Sequence, residues 1–165
     1  MEGSLIRQFL FPRITASFVL RALAVAVGAY LCFSYVCIPF RVDGRSMEPT
    51  YHDGSFNFCW TLGYAFSEPR HHDVVTVRFA GRKIMLLKRI VAVGGDSVEF
   101  RNGALLVNGE ETREPYVRYP CDWNLSRRDV APGHVYVVGD NRSGPIVQHY
   151  FGQTPVGRIV GTPLW

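Results

Sequence analysis

Three separated pieces of the sequence hold the residues that could perform chemistry together. They are residues 44–50, which contain Ser46, residues 88–96, which begin with Lys88, and residues 139–142. A serine hydroxyl is a weak nucleophile unless a neighbouring base removes its proton during the attack. A lysine can be that base when burial among apolar groups lowers its pKa, because its amine is then neutral. The first two pieces therefore permit nucleophilic catalysis by a serine and a lysine.

Lys88 lies in a run of apolar residues with the pattern of a strand. Because side chains alternate across a strand, Lys88 shares a face with Leu86 and Ile90, whereas Arg89 lies on the opposite face. One of the two cations must then be buried or lie at an edge. A plainer interpretation is also available, since a Lys-Arg pair is usually exposed and a serine in a glycine-rich turn is usually a turn residue. The residues alone leave both interpretations open.

The part of the chain that must position these residues is rich in strand and turn signals. The whole chain has sixteen glycines and ten prolines, and most of them separate short apolar runs in this part. Two Asn-Gly pairs, at residues 102–103 and 108–109, flank a four-residue apolar piece and predict hairpins. We expect a mostly β domain of antiparallel sheets in a barrel-like arrangement. Strands are predicted at residues 73–79, 84–93, 97–100, 104–107, 135–138 and 157–161.

Two stretches of this domain are less regular. Residues 121–129 are polar and predict a surface loop. Residues 56–66 are dense in aromatic side chains, more than one face of a strand usually needs. These rings belong either to the core or to a surface that contacts a membrane or a substrate.

An apolar run precedes the β domain. Residues 22–40 contain no charged side chain, and a helix of that length spans roughly 28 Å, close to the hydrocarbon thickness of a bilayer. A cleaved signal peptide is the alternative, but the run is long for one and no small-x-small pattern closes it. We predict residues 1–21 as a short N-terminal cytoplasmic segment, 22–40 as a transmembrane helix and 41–165 as the catalytic β domain. A weak charge preference favours a cytoplasmic N-terminus, with Arg7, Arg13 and Arg21 before the helix and Arg41 and Arg45 after it.

The composition argues against nucleic acid and metal as partners. The net charge is +4, but the basic residues are scattered rather than clustered. The cysteines have no metal-ligand spacing and the histidines do not cluster with them. Cys32 and Cys37 lie in the apolar run. Cys59 and Cys121 could form a disulfide in an oxidising compartment, which the sequence leaves open.

The pieces that carry the candidate chemistry resemble a known family. Their order and spacing agree with type I signal peptidases over nearly all of residues 22–162, behind an N-terminal apolar run. Residues 46–50 match the S-M-x-P-T signature, 88–91 with 95–96 match K-R-I-V and G-D, 139–142 match G-D-N-R, and 70–75 match R-G-D-V-V imperfectly. The chain is thus similar to the signal peptidase I family of Ser/Lys-dyad serine proteases.

The resemblance implies roles for the residues around the first piece. Ser46 is implied as the nucleophile, Lys88 as the general base, and the Ser46 backbone N–H as a donor to the oxyanion. Some members carry a serine hydroxyl two positions before the nucleophile, where this chain has Gly44, so a second donor must come from the backbone or be missing. Met47 and Pro49 are implied to fix the turn that presents the nucleophile.

The same resemblance implies structural roles for Arg89, Asp140, Asn141, Arg142 and Ser143. Asp140 and Arg142 are expected to form an ion pair and to transfer no proton.

The chain departs from the family pattern after Arg142. Pro145 stands where the family commonly has a serine that orients the lysine, Val147 replaces an aspartate and His149 an arginine. Another hydroxyl such as that of Ser143 then orients Lys88, or packing alone holds the lysine, or activity is lost.

The function implied is removal of N-terminal signal peptides from exported preproteins, by a single-pass enzyme of the plasma membrane with its catalytic domain on the extracytoplasmic side. The expected partners are preprotein signal peptides and the lipid bilayer, with no nucleic acid, no metal, no organic cofactor and a monomeric state. Alternatives are a maturation peptidase of the conjugation or mitochondrial inner-membrane type, and a catalytically idle membrane-anchored peptide-binding β module.

Overall fold

An apolar helix leads directly into the first strand of the larger of two antiparallel sheets. The computed structural model describes residues 15–80, 84–119 and 121–165. Helix α1 spans Ala16–Leu31 and continues as one π-helical turn, Cys32–Val36. The strands are β1 Cys37–Arg41, β2 Phe56–Trp60, β3 Val74–Ala80, β4 Ile84–Val93, β5 Ser97–Arg101, β6 Ala104–Val107, β7 Glu110–Glu111, β8 Leu125–Asp129, β9 His134–Val138, β10 Gly152–Pro155 and β11 Ile159–Pro163. The mostly β, antiparallel fold predicted from the sequence is confirmed.

The helix begins and ends earlier than the predicted span of residues 22–40. Thr15 caps its first turn by accepting a hydrogen bond of 3.2 Å from the backbone N–H of Phe18. The helical stretch Ala16–Val36 has 21 residues, a mean hydropathy of 1.9 and exposed side chains, enough by length and composition to cross a membrane. Residues 37–40 lie instead in β1, because Pro39 cannot continue a helix and the segment pairs with β2. Residues 1–14 of the predicted N-terminal segment lie outside the described residues.

The larger sheet has the strand order β1-β2-β11-β3-β4-β9-β10. Strand β4 is therefore interior, with β3 on one side and β9 on the other. Lys88 pairs with Val75 of β3, and Arg89 pairs with both Val74 and Val138. The interior position of β4 removes both cations from the exposed edge where a Lys-Arg pair usually lies.

The smaller sheet has the order β7-β6-β5-β8 and packs on one face of the larger. Both Asn-Gly pairs form the predicted tight turns, since Asn102, Gly103, Asn108 and Gly109 all have positive φ, between 49° and 85°. Side chains from β4 and β9 meet those from β5 and β6 in the core between the sheets.

The prediction of a surface loop at residues 121–129 is wrong. Leu125–Asp129 is a strand that pairs with β5, although its polar side chains point mainly to solvent. Trp123, just before it, is 2% exposed and contacts the rings of Phe100 and Phe151. Pairing with β5 and burial of one indole make this polar stretch part of the fold.

The four cysteines are free thiols in the structure. Cys59 is buried in the larger sheet, where its sulfur lies 2.9 Å from the Thr76 hydroxyl. Cys121 lies beside Gly103 of the smaller sheet. The two residues that could have paired thus belong to different parts of the domain.

Candidate active site

The three sequence pieces meet at Gly139. A Cβ at this position would collide with the carbonyl oxygen of Ser46 and lie 3.4 Å from Nζ of Lys88. The next residues fasten the serine turn, since the backbone N–H of Asn141 donates to Ser46 O at 3.0 Å and its side-chain amide donates to Arg45 O at 3.1 Å. The predicted nucleophile and base therefore lie on the same side of a glycine, whose missing side chain leaves them room.

Lys88 is deeply buried at this junction. Its side chain is 3% exposed, and its strand face carries Ile90 and the paired Val75, both fully buried. Burial lowers the pKa of Lys88 to about 8, an effect that Asp140 opposes and Arg142 assists. A substantial fraction of the amine is thus neutral near physiological pH, as a general base requires.

Ser46 lies in a turn shaped by its neighbours. Gly44 has φ +90°, a conformation that favours glycine, and its N–H donates to the carboxylate of Asp53 at 2.9 Å. Gly44 therefore serves the turn, and its amide is not a second oxyanion donor. Met47 is 1% exposed and Pro49 follows a cis peptide bond. Within the described residues the N–H of Ser46 donates to no acceptor, so it is available to a ligand.

The predicted ion pair between Asp140 and Arg142 is wrong, because each residue pairs with a distant partner. Arg89 donates to both carboxylate oxygens of Asp140, at 2.8 and 2.6 Å. Thr50, the last residue of the serine piece, donates to the same carboxylate at 2.5 Å. Arg142 instead donates to Glu114, at 3.3 and 2.6 Å.

Both cations of the Lys-Arg pair are buried, whereas the strand pattern of the sequence required only one of them to be buried or at an edge. Arg89 is 8% exposed and Lys88 is 3% exposed. Two different solutions make this possible. The guanidinium of Arg89 is matched by a buried carboxylate, and the amine of Lys88 is shifted toward its neutral form.

Ser143, one candidate to orient Lys88, is directed elsewhere. Its hydroxyl donates to Oδ1 of Asn141 at 2.6 Å, and its carbonyl accepts from Nε2 of His149 at 2.8 Å. Among the side chains that the structure describes, none accepts a hydrogen bond from Nζ of Lys88. Packing against the strand neighbours is what holds the lysine in this structure.

Two cavities adjoin the pair. A groove of about 350 Å³ is lined by Ser46 and Asn141, and also by Tyr119 and Gln148. A second cavity of about 220 Å³ reaches Lys88. His149 lines both cavities. Tyr119 and Gln148 carry no motif signal in the sequence, and only the tertiary structure brings them to the groove.

The described part of the chain contains no group of three or more His, Cys, Asp or Glu side chains that could hold a metal ion.

Comparison with known proteins places this geometry in a family. Residues 15–164 match the model of the signal peptidase family, peptidase S26. Signal peptidase I of Bacillus caldolyticus is 30% identical over 152 residues, covering 84% of this chain and 82% of the relative. Thylakoidal processing peptidase 1 of Arabidopsis thaliana is 32% identical over 159 residues, covering 88% of this chain and 46% of the relative. A crystal structure of a signal peptidase I from Enterococcus faecalis V583 matches with a TM-score of 0.48 and 24% identity, over 58% of this chain and 97% of that one.

The fold and the site together are those of a β-sheet peptidase that has a buried lysine near a serine. The chain belongs to the signal peptidase family, peptidase S26, as the sequence pieces predicted. It is thus a serine peptidase, a hydrolase, with one N-terminal apolar helix compatible with membrane anchoring.

Proposed function

We propose that this chain is a signal peptidase I in which Ser46 attacks the scissile peptide bond and Lys88 takes the serine proton. The observation that carries the proposal is a buried lysine with a lowered pKa, beside the same glycine as the serine turn. A lysine with the ordinary pKa of about 10.4 would have almost no neutral amine at neutral pH to accept the proton.

The reaction follows from these groups. Neutral Lys88 accepts the proton of the Ser46 hydroxyl as the oxygen bonds to the carbonyl carbon of the substrate. The Ser46 N–H stabilises the negative charge that develops on the carbonyl oxygen. The Lys88 ammonium then gives its proton to the leaving amine, which breaks the peptide bond. Lys88 next accepts a proton from the water that attacks the acyl-enzyme and gives it to the Ser46 oxygen as the acyl bond breaks, which restores the serine hydroxyl and the neutral amine.

The substrates we propose are preproteins with small side chains at the first and third positions before the cut. The cavity that reaches Lys88 supports this choice, because the apolar side chains of Leu86 and Val137 are among those that line it. Such walls suit short apolar side chains rather than long or charged ones. The substrate itself is proposed to bind in extended form, as an added strand.

The location we propose is the plasma membrane, with a cytoplasmic N-terminus and the catalytic domain on the outer side. The apolar helix Ala16–Val36 supports a single membrane span. Exposed aromatic rings continue from it onto the sheet, where Phe58 contacts Phe33, Phe56 and Trp165 at centroid distances of 5.9, 5.1 and 5.6 Å. Aromatic side chains are enriched at the level of lipid headgroups, which supports contact of this side with the bilayer.

The proposal is tested with the full-length chain in detergent or vesicles, on a preprotein that carries an Ala-x-Ala cleavage site. We expect Ser46→Ala and Lys88→Ala each to abolish cleavage while the melting temperature stays that of a folded domain. Ser67→Ala is the matched control, because this exposed serine bonds only a nearby carbonyl, and it retains the native rate. Cleavage by Ser46→Ala at the native rate refutes the serine mechanism. A folded native chain that binds the peptide but cleaves none would support the idle binding module instead.

A further inference from the structure

A short segment outside the three sequence pieces lies against the two buried arginines of the site. Glu114 and Tyr116 follow β7 of the smaller sheet. The Glu114 carboxylate accepts two hydrogen bonds from Arg142, at 2.6 and 3.3 Å, and the two side chains are 9% and 1% exposed. A bidentate, buried pair of this kind fixes both position and orientation of the guanidinium.

Tyr116 holds the second arginine. The guanidinium carbon of Arg89 lies 3.9 Å from the centre of the Tyr116 ring, a close cation–π contact. The tyrosine hydroxyl donates to Glu114 at 2.9 Å. Burial, with the nearby Glu114 carboxylate, raises the pKa of Tyr116, so the hydroxyl remains a donor. One tripeptide thus contacts both arginines and ties its own two side chains together.

Both arginines act directly on the turn that joins the catalytic pair. Arg142 donates through Nε to the carbonyl of Gly139 at 2.6 Å. Arg89 donates to Asp140, the next residue, at 2.8 Å through Nε. Gly139 is the residue that the Ser46 carbonyl and Nζ of Lys88 both approach. Two series of contacts therefore connect Glu114 to the turn beside the catalytic pair, one through Arg142 and the other through Tyr116 and Arg89.

The same contacts balance the charges around Lys88. The charged or titratable groups that act on it are Asp140 and Arg142 of the turn and His149 of the segment that follows. Arg89, its neighbour on β4, neutralises Asp140. Glu114 neutralises Arg142. Removal of either partner leaves a buried charge of known sign close to the amine.

We propose that Glu114 and Tyr116 are positioning residues of the active site, which clamp Arg142 and Arg89 and thereby hold the 139–142 turn that brings Ser46 and Lys88 together. The clamp also gives the smaller sheet a part in the reaction, because the segment leaves that sheet at β7. The inference rests on the proposed peptidase function.

Glu114→Gln is the main test, with cleavage measured against pH. We expect kcat to fall about 10- to 100-fold with KM changed less than about twofold, because the loosened turn misplaces Ser46 relative to Lys88, whereas most of the groove lining lies outside the turn. The acid limb of kcat is expected to move to lower pH, because the unpaired Arg142 cation disfavours the protonated form of Lys88. A merely structural role would not move this limb. Glu114→Asp keeps the charge and is expected to restore the native limb and part of kcat.

Tyr116 is tested separately from Glu114. Tyr116→Phe keeps the ring over Arg89 and should retain most of kcat. Tyr116→Leu removes the cation–π contact and is expected to lower kcat several-fold. The matched control is Glu111→Gln, an exposed glutamate of β7, which is expected to leave kcat and the pH profile at native values.

Native kcat and a native acid limb in Glu114→Gln would overturn the inference. If Glu114→Gln does not fold, native kcat in both Glu114→Asp and Tyr116→Leu would overturn it instead. Ser46→Ala separates this failure from that of the proposed function. An inactive Ser46→Ala beside a native Glu114→Gln refutes only the clamp, whereas an active Ser46→Ala refutes the peptidase mechanism itself.

Discussion

The backbone N–H of Asn141 donates to the carbonyl of Ser46 at 3.0 Å, although the two residues are 95 positions apart in the sequence. This bond joins the turn after β9 to the serine turn. Since β9 also pairs with β4, which carries Lys88, strand β9 and the turn after it are connected to both residues of the proposed catalytic pair. The distance between Ser46 and Lys88 thus depends on the turn at residues 139–142.

Gly139→Ala is expected to lower the cleavage rate at least about 100-fold, because its Cβ would meet the Ser46 backbone, which cannot move without shifting the nucleophile. The variant should also melt at a lower temperature than the native chain. Gly157→Ala is the control, since nothing lies within 4 Å of a Cβ there. A native rate in Gly139→Ala would contradict the close approach described here.

The cleavage rate should rise with pH through a value near 8, the pKa of Lys88. Only the neutral amine accepts the serine proton, so the active fraction falls about tenfold for each pH unit below the pKa and is constant above it. His149 does not cause this limb, because burial lowers its pKa from the ordinary histidine value, away from 8. Measurement of kcat/KM over roughly pH 6 to 10 tests this, and a limb near the free-lysine value of about 10.4 would refute a buried base.

Lys88→Met is expected to stabilise the fold while it abolishes cleavage. The folded pKa of about 8 lies below the reference value of 10.5, so the unfolded chain binds the proton more tightly. Below pH 8 the native fold carries the full cost of burying the charge, on the order of 3 kcal/mol, and this cost disappears as pH rises past 10.5. Urea unfolding at low and high pH measures the difference. An equal or lower stability of the variant near neutral pH would argue against a destabilising lysine.

Trp123→Phe probes the contact between the smaller sheet and the substrate groove. The indole N–H donates to Gly144 O at 2.9 Å, and the ring lies 4.6 Å from that of His149. Loss of this hydrogen bond and of some packing should cost about 1 to 2 kcal/mol of unfolding free energy. We also expect a cleavage rate a few-fold lower, since His149 lines the groove. Trp165→Phe, at a half-exposed ring on the other side, should leave the rate unchanged.

Much of the fold was predictable because its signals are local. The Asn-Gly turns and the β-branched run of β3 need only their own residues to indicate a hairpin or a strand. Strand β1 was hidden, because its apolar residues continue the run of the helix without a break. Strand β8 was missed because Leu125–Asp129 is polar, and only its pairing with β5 makes it a strand.

The partners of the buried charges could not be predicted in the same way. Their nearness in sequence suggested an ion pair between Asp140 and Arg142. In the structure their side chains point to different neighbours, so that Asp140 pairs with Arg89 and Arg142 pairs with Glu114. Glu114 is a single acid in a polar stretch, and its burial depends on how two sheets pack. Ser46 and Lys88, the proposed catalytic pair, were instead singled out by the order of sequence motifs, which does not depend on local geometry.

Because the helix runs directly into β1, the distance from the end of the helix to Ser46 is limited. The residues after Val36 are paired with β2 as far as Arg41, and the turn with Ser46 follows within five residues. An extended chain from the helix end to Ser46 can reach at most roughly 36 Å, and strand pairing allows little variation in that distance. If residues were added within β1, the register with β2 would break before the span could lengthen. For an enzyme anchored by this helix, the distance between the membrane surface and the cleavage site is therefore fixed by the pairing of β1 in the sheet.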